Sequence, residues 1–122
     1  IFSEKISKDQ PIPVFNHGDM QRDFTFIDDI ISGTRSAIEK NYQYEIFNLG
    51  NNRSESIMDM IKLIENGFGK KAKINFQDIQ PGDVKETFAD IDHSVDLLLY
   101  KSSISIKEGL PKYIDWFKSY YL

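Results

Sequence analysis

MQRDFTFIDDI, residues 20–30, decides the fold class of this chain, because within a few positions it passes from a strand pattern to a helix pattern. The run Phe24 to Ile27 is aromatic and β-branched, which favours a strand. Asp28 and Asp29 then suit the start of a helix, where negative charge is favourable. A helix over residues 28–40 is predicted, with one face formed by Ile27, Ile31, Thr34 and Ile38.

The segments on either side predict further short strands and moderate helices. Upstream, the sequence predicts the end of a helix over residues 1–8, which Pro11 stops, and a short strand over residues 12–15. Downstream, it predicts strands or extended runs over residues 44–49, 72–76 and 87–89.

Three more helices are predicted after residue 52. Ser56 and Asp59 resemble a capping box, and the apolar stripe that follows them is Ile57, Ile61, Ile64 and Phe68. A short helix is predicted over residues 94–99. The closing helix is marked by Ile106, Leu110, Tyr113, Phe117 and Tyr121. The sequence therefore predicts a single small mixed α/β domain over residues 1–122.

Composition excludes several classes of protein. The 122 residues are 40% hydrophobic and 28% charged, which is typical of a globular domain. A net charge of -4 argues against a partner that is nucleic acid or a membrane surface, since both need a basic patch. The lack of cysteine excludes disulfides and thiol chemistry and is compatible with a cytoplasmic location. Because the chain begins with Ile1 and not methionine, and runs directly into the sequence IFSEKI, we expect it to be a piece of a longer protein; removal of a tag or processing would give the same start.

The chain carries no recognisable catalytic or cofactor motif of its own. There is no G-x-G-x-x-G, no G-x-x-x-x-G-K-[ST], and no tyrosine followed four positions later by lysine. His17 and His93 stand far apart and are expected on the surface, so no metal site is predicted. We therefore expect no catalytic residue among these 122 positions.

Two polar loops nevertheless have side chains suited to a nucleotide. Arg22 follows a glycine turn, and Gln80-Pro81-Gly82-Asp83 combines a rigid turn with a carboxylate. A planar guanidinium matches a diphosphate, and a carboxylate can accept from both hydroxyls of a ribose. From spacing alone, a surface arginine and an ordinary turn aspartate explain the same residues, so a nucleotide clamp is a hypothesis that depends on the fold.

Five segments, in order, resemble the C-terminal part of the extended short-chain dehydrogenase/reductases, the nucleotide-sugar epimerases and dehydratases. They are MQRDFTFIDDI, YEIFNLGN, SIMDMIKLIENGFGKKA, QPGDVKETFADI and SISIKEGLPKYIDWF. The resemblance covers nearly the whole chain. Within the superfamily, PIPVFNHGDMQRDFTFIDDI and QPGDV are most similar to the UDP-glucuronate 4-epimerases.

This resemblance implies an enzyme of two parts. An N-terminal Rossmann domain, outside this chain, would hold NAD and the catalytic tyrosine and lysine, and residues 1–122 would bind the nucleotide sugar. Carried over by position, Phe15 would lie near the uracil ring, Arg22 would contact the diphosphate, and Asp83 would accept from the ribose. Many relatives have arginine at the position of Gln80, so here the diphosphate would depend more on Arg22.

The resemblance implies C4 epimerisation of UDP-glucuronate to UDP-galacturonate for polysaccharide synthesis. The expected partners are a UDP-sugar and the chain's own N-terminal Rossmann domain, and a homodimer is the oligomer considered for the intact enzyme. We expect the 122 residues alone to be inactive and to hold no NAD. Two alternatives stay open: a nucleotide-sugar 4,6-dehydratase or decarboxylase of the same superfamily, and a stand-alone non-catalytic binding module.

Overall fold

The computed structural model describes all of residues 1–122 and is a mixed α/β domain, as the sequence predicts. The elements are α1 (Phe2–Ser7), β1 (Pro11–Val14), a 3-10 turn (Phe15–Gly18), β2 (Gln21–Asp23), α2 (Ile27–Lys40), β3 (Ser54–Ser56), α3 (Ile57–Phe68), β4 (Lys73–Phe76), α4 (Asp92–Leu98) and α5 (Ile106–Tyr121). None of these helices has the length and apolar character that crossing a membrane requires.

Two small sheets position the loops that matter for function. β1 pairs with β4 in parallel, and β2 pairs with β3 antiparallel, with Arg22 opposite Glu55. A single further bridge joins Gln21 to Glu86. The loop that follows β4 therefore runs back alongside β2, although the two are more than sixty positions apart in sequence.

The main core lies between α1, the β1–β4 sheet and α3. Its five buried side chains are Ile6, Ile12, Val14, Ile61 and Ile64. The predicted stripe of α3 thus faces the core. The helix begins at Ser56, whose hydroxyl accepts from the amide of Met58, and ends at Gly69, whose φ of 64° suits glycine. The Asp59 carboxylate accepts a hydrogen bond from Lys62 and does not complete the predicted capping box. A capping box is instead present at the start of α5, between Ser105 and Glu108.

A second, smaller core explains how α2 packs. It consists of Ile91, Leu98 and Tyr100, with Ala37, Phe47, Leu49 and Ala89 against it. α2 presents its small residues to this cluster: a Cβ added at Gly33 would lie 2.6 Å from Leu49. Because the small face of the helix lies inward, its large apolar side chains point the other way.

The predicted helix α2 is present, and Ile27, Ile31 and Ile38 on its predicted apolar face are 58%, 56% and 72% exposed. The sequence prediction is wrong on two strands. Residues 44–49 form no strand, because no other strand of the domain lies beside them to supply hydrogen bonds. The strand expected at residues 24–27 lies instead at Gln21–Asp23, where β3 provides a partner.

Candidate functional site

Arg22 joins the two polar loops that the sequence singles out. Its Nη2 donates to Asp83 Oδ1 at 2.7 Å, and its Nη1 donates to the carbonyls of Gln21 at 2.8 Å and Lys85 at 3.2 Å. β2 provides the rigid base, and the 83–87 segment approaches along it. The fold therefore brings together two residues that lie 61 positions apart.

Asp83 is held by the turn that precedes it. The amide of Asp83 donates to the carbonyl of Gln80 at 3.0 Å, and Gly82 has a φ of 85°. Proline followed by glycine suits this kind of turn, since proline fixes its own φ and glycine tolerates a positive one. Asp83 Oδ1 accepts from Arg22 and from the amide of Val84, whereas Oδ2 accepts from no group of the protein. One carboxylate oxygen thus remains open to a ligand.

The ion pair lies at the edge of a small, mostly apolar cavity. Its volume is about 210 Å³ and it is lined by Ile1, Phe2, Pro13, Val14, Phe15, Met20, Arg22, Ile57 and Asp83. Phe15, Arg22 and Asp83 therefore border one space. Small-molecule sites usually enclose about 300 to 1,000 Å³. A cavity of this size suits one part of a nucleotide sugar, and the rest would need a further wall.

Gln80 is the one predicted site residue that does not border this cavity. Its side chain is exposed, and the structure gives it only the turn contact of its carbonyl. The predicted roles of all four residues in ligand binding stay predictions.

Arg22 and Asp83 form an ion pair, so their two charges do not act independently. Their side chains are 24% and 32% exposed, so the pair is partly shielded from water. Three of the five guanidinium donors are occupied within the protein, which leaves two for an anion. Arg22 can therefore hold the Asp83 loop and donate to a diphosphate at the same time.

Asp23, directly after Arg22, is a residue beside the candidate site that the sequence analysis does not single out. Its carboxylate accepts hydrogen bonds from three backbone amides and one hydroxyl: those of Asn51, Asn52, Ala89 and Thr25. The only signal in the sequence is its place within the QRDF motif, since the donors come from distant segments.

A larger cavity lies elsewhere in the domain. It measures about 730 Å³ and runs between residues 23–27 and α5, with Phe24, Phe26, Tyr113 and Trp116 among its walls. Neither Arg22 nor Asp83 lines it. We assign the candidate site to the smaller cavity because the Arg22–Asp83 pair borders it, and a guanidinium with donors to spare is the group that suits an anionic nucleotide.

The histidines and acidic residues form no metal centre. No group of three histidine, aspartate or glutamate side chains is close enough to hold a metal ion. His17 contacts Asp78 at 3.0 Å, and His93 contacts Glu45 at 2.9 Å. Both imidazoles are more than half exposed, which agrees with the predicted surface positions.

Comparisons with known proteins point to one family. The profile of the "NAD dependent epimerase/dehydratase family" matches residues 1–50. The chain is 42% identical over 118 residues to a UDP-glucuronate 4-epimerase of Thermodesulfobacterium geofontis, covering 96% of this chain and 36% of that protein. It is 36% identical over 138 residues to protein CapI of Staphylococcus aureus, covering 98% and 41%.

A solved structure agrees with these sequence matches. The UDP-glucuronic acid 4-epimerase of Bacillus cereus, in complex with UDP-glucuronic acid and NAD, superimposes with a TM-score of 0.87 at 37% identity, covering 98% of this chain and 39% of that one. The chain thus spans about two fifths of the length of such relatives. Residues 1–122 thus match, in sequence and in fold, a C-terminal part of the extended short-chain dehydrogenase/reductases of the NAD-dependent epimerase kind.

Proposed function

We propose that residues 1–122 are the substrate-binding domain of an NAD-dependent nucleotide-sugar epimerase whose substrate is UDP-glucuronate, converted at C4 to UDP-galacturonate for polysaccharide synthesis. The observation that carries the proposal is the convergence of Arg22 and Asp83, from two distant loops, at one cavity. The choice of substrate is supported by relatives named UDP-glucuronate 4-epimerase and by the Bacillus cereus complex.

The proposed binding mode uses the groups that the protein leaves open. The two unused donors of Arg22 contact the diphosphate, and Oδ2 of Asp83 accepts from a ribose hydroxyl. Phe15 provides an apolar surface for the uracil ring at the wall of the same cavity. Gln80 is exposed at the turn, where its neutral amide adds a polar contact but no charge.

The chemistry of the reaction is assigned to a part of the protein outside this chain. NAD, when bound, would supply the hydride acceptor, and residues 1–122 contain no glycine-rich dinucleotide motif to hold it. The residues of this domain bind and orient. They bind the UDP, which does not react, and so hold the sugar with its C4 next to the catalytic groups. Binding energy from this remote group thereby lowers the barrier to the reaction at C4.

The open apolar surface supports a large partner domain. The outward face of α2 exposes apolar side chains, and so does the segment of residues 44–49. Within that segment, Tyr44 is 84% exposed and Ile46 is 74% exposed. Phe47 and Leu49 pack on the second core, so the segment keeps the alternation of a strand without a partner strand. We assign this surface to the N-terminal Rossmann domain, whose sheet would supply that partner.

The test is an activity assay on the full-length protein. With NAD and UDP-glucuronate, the expected product is UDP-galacturonate at unchanged mass, and the 122-residue chain alone should give no turnover. Loss of carbon dioxide from UDP-glucuronate would indicate a decarboxylase. A 4,6-dehydratase would instead leave UDP-glucuronate unchanged and remove water from a nucleotide-linked glucose, which carries the C6 hydroxyl that glucuronate lacks. No conversion, together with retained UDP binding, would favour a non-catalytic binding module.

A further inference from the structure

The carboxylate of Asp23 is the point at which three separate segments meet. Oδ1 accepts from the amide of Asn51 at 2.8 Å and from the hydroxyl of Thr25 at 3.1 Å. Oδ2 accepts from the amides of Asn52 and Ala89, both at 3.0 Å. Four donors and no cation face this group, so the partial charges of backbone amides stabilise it.

Only a carboxylate satisfies this arrangement. Both oxygens must accept, and an asparagine in the same place would turn an NH2 group toward two of the donors. The surroundings are also crowded, since a Cβ added at Gly50 would lie 3.0 Å from Asp23 Oδ2 and 2.4 Å from the Cβ of Ala89. The site therefore selects the residue at position 23 by charge, by shape and by its number of acceptors.

The contact with Ala89 extends a ladder that leads to the candidate site. The amide of Gln21 donates to Lys85 at 2.9 Å, and the amide of Thr87 donates to Gln21 at 3.3 Å. The bond from Ala89 to Asp23 is the next step along β2, made by a side chain in place of a backbone carbonyl. At its other end, the same loop carries Asp83, two residues before Lys85.

We propose that Asp23 is a positioning residue: it holds the 83–89 loop against β2, so that Arg22 and Asp83 face the same cavity in a fixed geometry. The inference rests on the proposed function, because it assumes that this pair binds the UDP moiety. Asp23 itself does not line that cavity and is not expected to touch the ligand.

The experiment compares Asp23→Asn with Asp29→Asn in the full-length protein. Asp29 is a matched control: it is 4% exposed and accepts from the amides of Ser103 and Ile104 and the hydroxyl of Ser103, away from the cavity. Both variants should lower the Tm. Only Asp23→Asn should also weaken UDP binding, by roughly tenfold, the effect of losing about one charge-assisted hydrogen bond from the loop.

Two further readouts separate positioning from general destabilisation. In steady state, Asp23→Asn should raise KM for the UDP-sugar with little change in kcat, because the loop acts on binding and not on the reacting atoms. In an Asp83→Ala background, the same substitution should change UDP affinity by less than about twofold, since coupled residues are not additive. Should Asp23→Asn prove insoluble, Ala89→Pro removes the loop's donor and should weaken UDP binding similarly.

The inference is overturned if Asp23→Asn leaves UDP affinity unchanged while Arg22→Ala weakens it. It is equally overturned if Asp29→Asn weakens UDP binding as much as Asp23→Asn does, or if the effects of Asp23→Asn and Asp83→Ala are additive. If Arg22→Ala also leaves affinity unchanged, the proposed function fails first, and the role of Asp23 fails with it.

Discussion

Replacing Arg22 by alanine in the full-length protein is the most direct test of the candidate site. The change removes the donors to a diphosphate and also the bond to Asp83 and the bonds to the Gln21 and Lys85 carbonyls. A hydrogen bond to a charged group typically contributes about 1.5 to 3 kcal/mol. We therefore expect UDP affinity to fall by roughly 10- to 150-fold, since about 1.4 kcal/mol corresponds to a factor of ten.

The Arg22–Asp83 ion pair favours a loss of UDP affinity in the upper part of that range. Without Arg22, the Asp83 carboxylate would face the incoming diphosphate uncompensated, and the side chain is only 32% exposed, so water screens it incompletely. Arg22→Lys should give an intermediate loss, because an ammonium keeps the charge but lacks the planar fork that holds Asp83 and an anion together.

Isothermal titration calorimetry with UDP measures the effect without any need for turnover. Arg53→Ala is the matched control: Arg53 pairs with Glu55 at 3.0 Å, is 64% exposed, and does not line the cavity. It should change UDP affinity by less than about twofold, since exposed ion pairs contribute little. Equal affinities for wild type and Arg22→Ala, or equal losses for Arg22→Ala and Arg53→Ala, would refute the assignment.

Three other predictions concern the ribose, the open surface and acid stability. In competition binding, the wild-type protein should bind 2′-deoxy-UDP roughly five- to tenfold more weakly than UDP. Asp83→Ala should abolish that difference in affinity. A difference that persists in Asp83→Ala would place the ribose contact elsewhere. Ile31→Lys should lower the Tm of the full-length protein well beyond the decrease caused by Ser32→Lys, because position 31 is proposed to be covered by the Rossmann domain. Equal decreases in Tm would argue against such a contact. The amide of Ala72 is the main cause that holds the pKa of the Glu65 carboxyl below its ordinary value of 4.5. The Glu65 carboxylate therefore stabilises the folded state above about pH 4.5, and this contribution is lost as the pH falls through the folded pKa. The Tm difference between wild type and Glu65→Gln should accordingly shrink in acid. A Tm difference that does not depend on pH would contradict this.

Much of the local structure could be predicted from the sequence. The stripe Ile57, Ile61, Ile64 and Phe68 gives α3, and the closing apolar spacing gives α5, because a helix satisfies its backbone hydrogen bonds within its own segment. Arg22 and Asp83 could be selected as candidates for the same kind of reason: a glycine or proline turn next to a charged side chain is a local feature.

Features that depend on distant partners could not be predicted. Residues 44–49 have the alternation of a strand, yet a strand needs a neighbour, and none of the 122 residues provides one. α2 has an apolar face at the right spacing, but close packing at Gly33 turns the small face inward. The sequence pattern fixed which side chains share a face and left open which face is covered.

The sequence by itself determined the fold class, most of the helices and the two charged residues of the candidate site. Only the tertiary structure decided that Arg22 and Asp83 touch, and that Asp23 joins the loops beside them. The physical reason is the origin of the contacts: helix hydrogen bonds span four residues, whereas the donor that Ala89 gives to Asp23 comes from 66 positions away, so its partner exists only once the chain has folded.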